Sequence, residues 1–209
     1  MRLPIPIFFI SVVLFTAYLA FKRKKQTDNQ QHANEAFLER ERLANSTRRK
    51  DISNLDYLRI SLETLPIAEY DDEELHSHEA AIQKLAGQNI LNLSMYSNTD
   101  LKMMYGPANL EELSACDDNY HMLSSTLFAY ANREAALGRP DAAIAILEYA
   151  MALQIDSSQI YLLLADLYNQ QGTPENIQNI VSVLAQMEAT ESGHAFASRL
   201  LPKIRELLP

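Results

Sequence analysis

The sequence predicts an all-α protein, and three observations lead to this prediction. Aromatic residues make up only 8% of the 209 residues, Trp is absent, and there are only 5 Gly. Leu and Ala are frequent, which favours helices over a β-sandwich or a barrel. Apolar residues recur at helical spacing, and one pattern of Gly, Pro and apolar residues occurs twice. The single cysteine, Cys116, excludes an internal disulfide framework, a four-cysteine zinc site and a CxxC pair.

The first expected element is a single N-terminal transmembrane helix over the uncharged residues from Leu3 to Phe21. A helix of this length is roughly 28 Å long, close to the hydrocarbon core of about 30 Å. Lys22-Arg23-Lys24-Lys25 follows at once, which disfavours a cleaved signal peptide. By the positive-inside rule, the same cluster predicts an outside N-terminus and a cytoplasmic C-terminal domain. Residues 1–25 are therefore expected to anchor a single-pass protein in the cell membrane.

Residues 26–70 are expected to form a polar juxtamembrane helix followed by an extended arm. The helical part contains neither Pro nor Gly and carries a thin apolar stripe. Farther along, Leu58, Ile60 and Leu62 alternate with polar residues. This period of two predicts an extended segment that lies on the helical body and ends at Pro66.

The helical domain is expected over residues 71–209. Asp71-Asp72-Glu73-Glu74 predicts the start of a helix, because acidic residues in the first turn interact favourably with the helix dipole. Gly87 is expected to end that helix. Asp117-Asp118 is expected to cap a longer helix that carries Tyr120 to Leu137.

The most specific pattern is an internal repeat. Gly138-Arg139-Pro140-Asp141 recurs 34 residues later as Gly172-Thr173-Pro174-Glu175. Apolar positions follow the same shift, for example from Leu147 to Val181. A period of this length with a Gly turn midway is typical of helix–turn–helix solenoid units, which bury their apolar faces against neighbouring units.

The two repeats resemble the tetratricopeptide (TPR) family. The first repeat lies at about 124–157 and the second at about 158–191, and Glu134 in the first repeat occupies a position where the family has Tyr. The resemblance implies a TPR-like helical-repeat domain with a C-terminal capping helix over residues 193–208. In the second repeat, the residues that match the family pattern are Tyr161, Leu164, Ala165, Tyr168 and Gly172.

A second resemblance covers the segment from Asn92 to Tyr120. Its string NLS-x-YSNTDLK-x-x-YG-x-ANL is similar to the middle of small uncharacterised membrane-anchored proteins of low-GC Gram-positive bacteria. This similarity implies a layout and a bacterial source, and it implies no activity.

The TPR resemblance also implies a concave face built from the first helix of each repeat. The face would be apolar and rich in amides, with one acid and no Lys or Arg, which implies a neutral, apolar or mildly basic peptide as ligand. Whether this groove is open or is filled by the chain's own arm at residues 55–66 is left open by the sequence. The residues assigned to the candidate peptide-binding groove are Phe128, Asn132, Gln159, Leu162, Asp166 and Asn169.

The charge distribution indicates a protein partner and disfavours nucleic acid. Residues 1–50 carry a net charge of +6, and residues 51–209 carry a net charge of −15. An acidic domain repels phosphate backbones. A basic protein bound to the convex surface, and self-association of the chain, are further possibilities that the sequence leaves open.

No pattern in the sequence indicates catalysis, a cofactor or a metal site. His76 and His78 would point about 200° apart on a helix, so they do not share an ion. His121 and Cys116 have no partner in a recognised spacing. Walker, GxGxxG, GxSxG and HExxH motifs are absent from the sequence. The protein is therefore predicted not to be an enzyme.

Together these features predict a membrane-anchored protein-protein interaction scaffold or adaptor that uses a TPR-like domain on the cytoplasmic side. One alternative inverts the topology and makes the domain an extracytoplasmic chaperone associated with translocation, or an envelope assembly factor. A further alternative is a hydrolase with a divergent site around His76, His78 and His121. The identity of the partner and the oligomeric state are not predicted.

Overall fold

The computed structural model describes residues 5–67, 71–190 and 193–208. In this part of the chain every regular element is helical, which agrees with the predicted all-α class. A 3₁₀ turn over Pro107–Asn109 precedes the longest helix after the first one. The α-helices are α1 (Ile5–Asn45), α2 (Glu73–Ala86), α3 (Asn98–Tyr105), α4 (Leu110–Ala136), α5 (Pro140–Ala152), α6 (Ser158–Gln171), α7 (Pro174–Glu188) and α8 (His194–Arg205).

The prediction of a membrane anchor is wrong. Within the described ranges, no helix is both long enough and apolar enough to cross a membrane. The start of the expected span, Leu3-Pro4, lies outside the described residues. From Ile5, helix α1 continues without a break past Phe21 into the basic cluster at residues 22–25 and a polar half, so it is long but apolar over only part of its length. The single-pass placement, with its outside N-terminus and cytoplasmic domain, depended on this anchor and is wrong with it.

The chain divides into two compact units. Unit A consists of the chain up to Asp51 together with Ser97–Leu110. Unit B consists of Ile52–Tyr96 and the chain from Glu111 onward. The expected division of the sequence after residues 25 and 70 stays a prediction.

In unit A, the C-terminal end of α1 is joined to α3 by polar contacts. The guanidinium of Arg40 donates to Asp100 Oδ1 at 2.5 Å, and Lys102 Nζ donates to Glu41 Oε2 at 2.9 Å. The Lys102 hydrogen bond is the main reason why the pKa of Glu41 lies below its ordinary value. Ala44 of α1 and Leu101 of α3 are buried, so unit A also has a small apolar centre.

Asn109 is the buried centre of the second half of unit A. Its side-chain amide donates to the carbonyl oxygens of Lys50 and Tyr105, both at 2.7 Å. Its carbonyl oxygen accepts from Arg49 Nε at 2.8 Å. Because Asn109 is completely buried and makes three hydrogen bonds, it joins the segment that follows α1 to the end of α3.

Unit B contains the main apolar core. Helices α5 to α8 pack in succession, and α2 and α4 contribute to the same core. Helix α2 begins and ends as predicted, because Asp72 caps its first turn by accepting from Leu75 N and Gly87 follows its last residue. Among the largest fully buried side chains are Tyr130, Tyr161, Leu127, Ile146 and Leu147.

The turns between α4 and α5 and between α6 and α7 have the same local structure. Gly138 and Gly172 have positive φ angles of 76° and 69°, which glycine adopts without steric cost. Gly138 N donates to Ala135 O at 3.0 Å, and Gly172 N donates to Asn169 O at 3.1 Å. In each turn the next residue donates to a carbonyl five residues before it, and a Pro then opens the following helix.

The predicted start of the long helix is wrong. Helix α4 begins at Leu110, so Asp117-Asp118 lies inside it and does not cap it. Asp117 instead fixes the segment before α3, since its Oδ1 accepts a hydrogen bond from the backbone N–H of Leu93 at 2.8 Å. Buried Leu113 and Cys116 extend the apolar face of α4 upstream of these acids, which stabilises the helix before the expected cap.

Candidate functional site

The candidate groove residues lie on α4 and α6 of unit B. On α6, the buried side carries Tyr161, Leu164 and Tyr168, which leaves the opposite side to the groove residues. Helical periodicity therefore places these residues in the solvent. Phe128 is half-buried and packs against the core, whereas the exposed members are Asn132, Gln159, Leu162, Asp166 and Asn169.

The four groove residues of α6 form one continuous stripe. Gln159, Leu162, Asp166 and Asn169 are separated by three, four and three positions, which keeps them on one face over about 15 Å. Asp166 accepts a hydrogen bond from Gln170 Nε2 at 2.7 Å. The stripe thus offers two amides, one aliphatic side chain and one carboxylate to a ligand.

Phe128 and Asn132 form the second part of the candidate groove. They are four residues apart on α4 and so lie on one face of that helix. Within the described residues, no hydrogen bond joins this pair to the α6 stripe. The six predicted residues therefore lie in unit B as two separate strips, one on α4 and one on α6.

The arm at residues 55–66 lies on other side chains of unit B. The Tyr149 hydroxyl of α5 donates to Ser61 O at 3.1 Å, and the Tyr130 hydroxyl of α4 lies 3.0 Å from Pro66 O. Near its start, Leu58 N donates to Ile90 O at 2.9 Å. Because five of the six groove residues are exposed, the arm does not cover the candidate groove.

Several buried tyrosines bind carboxylates, and sequence reasoning missed them. The Tyr120 hydroxyl donates to Asp156 Oδ1 at 2.5 Å and accepts from Asp156 N at 2.9 Å. Asn92 Nδ2 donates to the other carboxylate oxygen at 2.8 Å. Burial raises the pKa of Tyr120, so its hydroxyl stays protonated and remains a donor. Tyr120 and Asn92 are separated from Asp156 by 36 and 64 positions, and no local sequence pattern indicates such pairs.

An acidic edge surrounds the start of α2. A cavity of about 530 Å³ is lined there by Asp71, Asp72, Glu73, Glu74, Ser77 and Arg133. Arg133 donates to Asp72 Oδ2 at 2.7 Å, and its Nε lies 3.2 Å from Glu74 Oε2. The Arg133 hydrogen bond is the main cause that lowers the pKa of Asp72, and the same hydrogen bond raises the pKa of Arg133. Arg133 thus pairs with two of the four acids of this edge.

The histidines considered for a metal or hydrolase site each lie beside a carboxylate. His76 Nδ1 lies 3.3 Å from Glu79 Oε2, and His78 Nε2 lies 4.0 Å from Glu74 Oε1. His121 Nε2 lies 3.5 Å from a carboxylate oxygen on its own helix. In the portion of the chain with described placement, no three His, Cys, Asp or Glu side chains come together in a way that could hold a metal ion.

Cys116 is buried on the core side of α4. Burial, and after it the nearby charge of Glu112, raise the pKa of its thiol. A raised pKa keeps the thiol protonated at neutral pH, and the thiol is a poor nucleophile in that state. Cys116 is thus a packing residue of the core.

Comparisons of this chain with protein-family models, with curated proteins and with solved structures found no significant match. The resemblance of the two repeats to the TPR family therefore stays a prediction. Any function assigned to the chain depends on its own residues and their contacts.

Proposed function

We propose that this protein is a protein-interaction adaptor with TPR-like repeats, and that the candidate groove binds an extended peptide segment of a partner protein. The observation that carries this proposal is the pair of equivalent turns in unit B. Gly138 and Gly172, 34 residues apart, have the same sign of φ and the same hydrogen bond to the carbonyl three residues before. A repeated helix–turn–helix unit of this length is used mainly to build binding surfaces.

The chemistry of the exposed stripe supports a peptide as the ligand. The side-chain amides of Asn132, Gln159 and Asn169 each contain a donor and an acceptor, which pair with backbone C=O and N–H groups of a peptide. Leu162 and the half-buried Phe128 supply apolar contact area. The groove has no Lys or Arg, so it does not select a terminal carboxylate, and its single acid, Asp166, favours a neutral or mildly basic segment.

A capture experiment with the full chain tests the groove. The tagged protein is immobilised and exposed to an extract of its source cells, and the retained proteins are identified. The combined substitution Asn132→Ala and Asp166→Ala is expected to reduce the retained partner at least tenfold, because it removes one polar contact from each strip. The matched control is Gln178→Ala with Gln186→Ala, two exposed positions on α7. Equal retention by the groove variant and the control would contradict the groove assignment.

No observation favours the alternatives over an adaptor. The hydrolase alternative needs His76, His78 and His121 to act together, yet each lies beside a separate carboxylate. The exported chaperone depended on an inverted membrane anchor, and the expectation of an anchor is wrong.

A further inference from the structure

We propose that unit B has a second peptide-binding surface, which the chain's own arm at residues 55–66 covers. This covered surface is formed by Tyr130 of α4, Tyr149 of α5 and the backbone at Ile90. Its ligand is an extended segment of a partner protein, with two aliphatic residues in alternation and basic residues after them. The inference goes beyond the proposed function, because the surface lies apart from the α4 and α6 positions of the candidate groove.

The arm is held partly through its backbone. Leu58 N donates to Ile90 O, and the Tyr149 hydroxyl donates to Ser61 O at 3.1 Å. Pro66 O lies 3.0 Å from the Tyr130 hydroxyl, whose nearer acceptor is Glu79 Oε1 at 2.7 Å. Backbone groups are the same in every peptide, so these contacts recognise an extended chain and not one particular sequence. The mode resembles the way in which protein surfaces bind added strands, where main-chain hydrogen bonds supply affinity and side-chain pockets supply specificity.

Alternating aliphatic side chains supply the specificity. Leu58 and Ile60 are partly buried and pack against the core, whereas Leu62 is 42% exposed. Leu65 is buried near the end of the arm. A partner segment needs aliphatic residues at the first two of these positions to make the same contacts, because residues two apart in an extended chain point to the same side.

The arm can leave without breaking a helix or a sheet. Residues 56–61 have no helix, strand or turn, so release breaks no regular element and costs local hydrogen bonds, such as that of Leu58 N to Ile90 O, and the burial of aliphatic side chains. Release also returns conformational freedom to the chain. It would free the hydroxyl of Tyr149, which donates to Ser61 O and belongs to a side chain only 9% exposed with the arm in place. Tyrosines with a hydroxyl and an apolar ring are enriched at the centres of protein interfaces.

Charge complementarity indicates that the partner is basic beyond the aliphatic residues. Tyr130 is three residues before Arg133 on α4, so the end of the arm lies about one helical turn from the acidic edge of α2. That edge carries four consecutive acids, and among the cavity-lining residues only Arg133 is basic. The arm itself continues into Glu69 in sequence and supplies no positive charge there. Lys or Arg at this end of a partner segment would be attracted, and an acidic segment would be repelled.

Fluorescence anisotropy with the full chain tests this surface. The probe is a labelled synthetic peptide with the sequence of residues 55–67 followed by two lysines. The variant Leu58→Ser with Ile60→Ser loosens the arm and is expected to bind the probe at least tenfold more tightly than the unmodified chain. In that variant, Tyr149→Phe should weaken binding about fivefold, the loss expected for one hydrogen bond. Replacing the two lysines by glutamates should weaken it further at low salt.

Two controls separate this surface from other sites. Tyr105→Phe changes a tyrosine of unit A and should leave probe binding unchanged. The unmodified chain and the loosened variant are also compared with Asn132→Ala and Asp166→Ala in both, which removes the candidate groove as a site for the probe; the tenfold difference should persist, so the two proposals can fail separately. Equal binding by the unmodified chain and the loosened variant would overturn the inference. An effect of Tyr149→Phe no larger than that of Tyr105→Phe would overturn it as well.

Hydrogen exchange of the unmodified chain tests the same inference without any variant. The amide of Leu58, which is bonded to Ile90 O, should exchange at least a hundredfold faster than core amides of α5 and α6, because the arm opens on its own. Exchange of Leu58 at the rate of those core amides would show that the arm leaves only on global unfolding, and that result would overturn the proposal.

Discussion

Gly106 has a φ of +89° and lies against the backbone of the segment after α1. A Cβ at this position would be 2.7 Å from Arg48 O and 2.9 Å from Arg49 Cα. Both neighbouring atoms belong to the backbone, so neither can move aside as the end of a flexible side chain would. Gly106 thus allows the close approach on which the polar contacts of unit A depend.

Gly106→Ala is expected to destabilise unit A by about 2 kcal/mol or more, since the strained φ and the clash add. Denaturant unfolding followed by circular dichroism, with hydrogen exchange of α3 amides, measures the effect. The matched control is Gly87→Ala, because Gly87 has a φ of −89° and its Cβ would be 3.9 Å from the nearest atom, Lys84 O. A loss no greater than that of the control would contradict the close contact.

Glu134 occupies a position where the predicted TPR-like pattern has Tyr. The position is only 1% exposed, and a carboxylate there needs a charged partner. Glu134 Oε2 accepts from Arg139 Nε at 2.6 Å, and Arg139 N donates to Glu134 O. In the second repeat, the equivalent residue Tyr168 is also buried and donates to Glu148. Both repeats therefore satisfy this position with a polar contact, by different chemistry.

We expect Glu134→Ala to reduce the free energy of unfolding by about 2 to 3 kcal/mol, because it removes the carboxylate from a largely buried guanidinium and leaves a cavity. Urea denaturation measures the difference. Glu111→Ala, at an exposed position of the same helix, should stay within about 0.5 kcal/mol of the unmodified chain. Equal values for the two variants would mean that the Arg139 contact contributes nothing to stability.

At the scale of elements, Asp72 couples the start of α2 to α4. It caps α2 through Leu75 N and accepts from Arg133 at 2.7 Å. The Arg133 hydrogen bond, and after it the Leu75 backbone N–H, hold the pKa of Asp72 below its ordinary value of 3.8. A carboxyl group whose pKa is lowered in the folded state adds stability above its ordinary pKa and loses that contribution as the pH falls through the lowered value.

Unit B should therefore lose stability as the pH falls from about 5 through the lowered pKa of Asp72, and Asp72→Asn should make this loss smaller. Thermal unfolding at a series of pH values measures it. Asp118→Asn, an exposed position of α4, is the matched control. If Asp72→Asn and Asp118→Asn follow the same pH profile, the cap and its Arg133 contact do not contribute.

The elements that the sequence predicts well are those whose signals are local. Gly138 and Gly172 mark turns because glycine readily adopts a positive φ, and Asp72 marks the start of α2 because its own side chain accepts from a backbone N–H of the first turn. Asp117 misleads because an acid suited to an N-cap can equally accept from a distant backbone N–H, here that of Leu93. The start of a helix is therefore predictable from the sequence only where the capping side chain is not hydrogen-bonded to a distant group instead.

At the scale of the whole molecule, the polar contacts within unit A join positions that are distant in the sequence. Arg40 and Asp100 are 60 residues apart, and so are Arg49 and Asn109. These contacts are polar and have no apolar periodicity, so pattern analysis does not find unit A.

The arm shows the opposite case. Its alternation at Leu58 and Ile60 predicts an extended segment on the helical body, but the tyrosines that hold it come from α4 and α5 and could not be named from the sequence.

The expected anchor shows a different limit of the sequence. The stretch from Leu3 to Phe21 is uncharged and is long enough for a membrane span. Its composition does not show where the helix that contains it ends. Among the residues whose placement is described, the helix that contains most of this stretch extends to Asn45 and does not qualify as a span. The six groove residues, by contrast, are on α4 and α6, and five of them are exposed. Their role in binding stays a proposal.

Site-specific photo-cross-linking tests the groove most directly. A benzophenone side chain is placed at Asn132 or Asn169 in the full chain, and the same group is placed at Gln178 or Gln186 on α7 as the control. The adaptor account predicts an adduct of one defined mass from the two groove positions and none from the α7 positions. Adducts of the same protein at equal yield from α7, or no adduct from either groove position in cells that contain the captured partner, would contradict it.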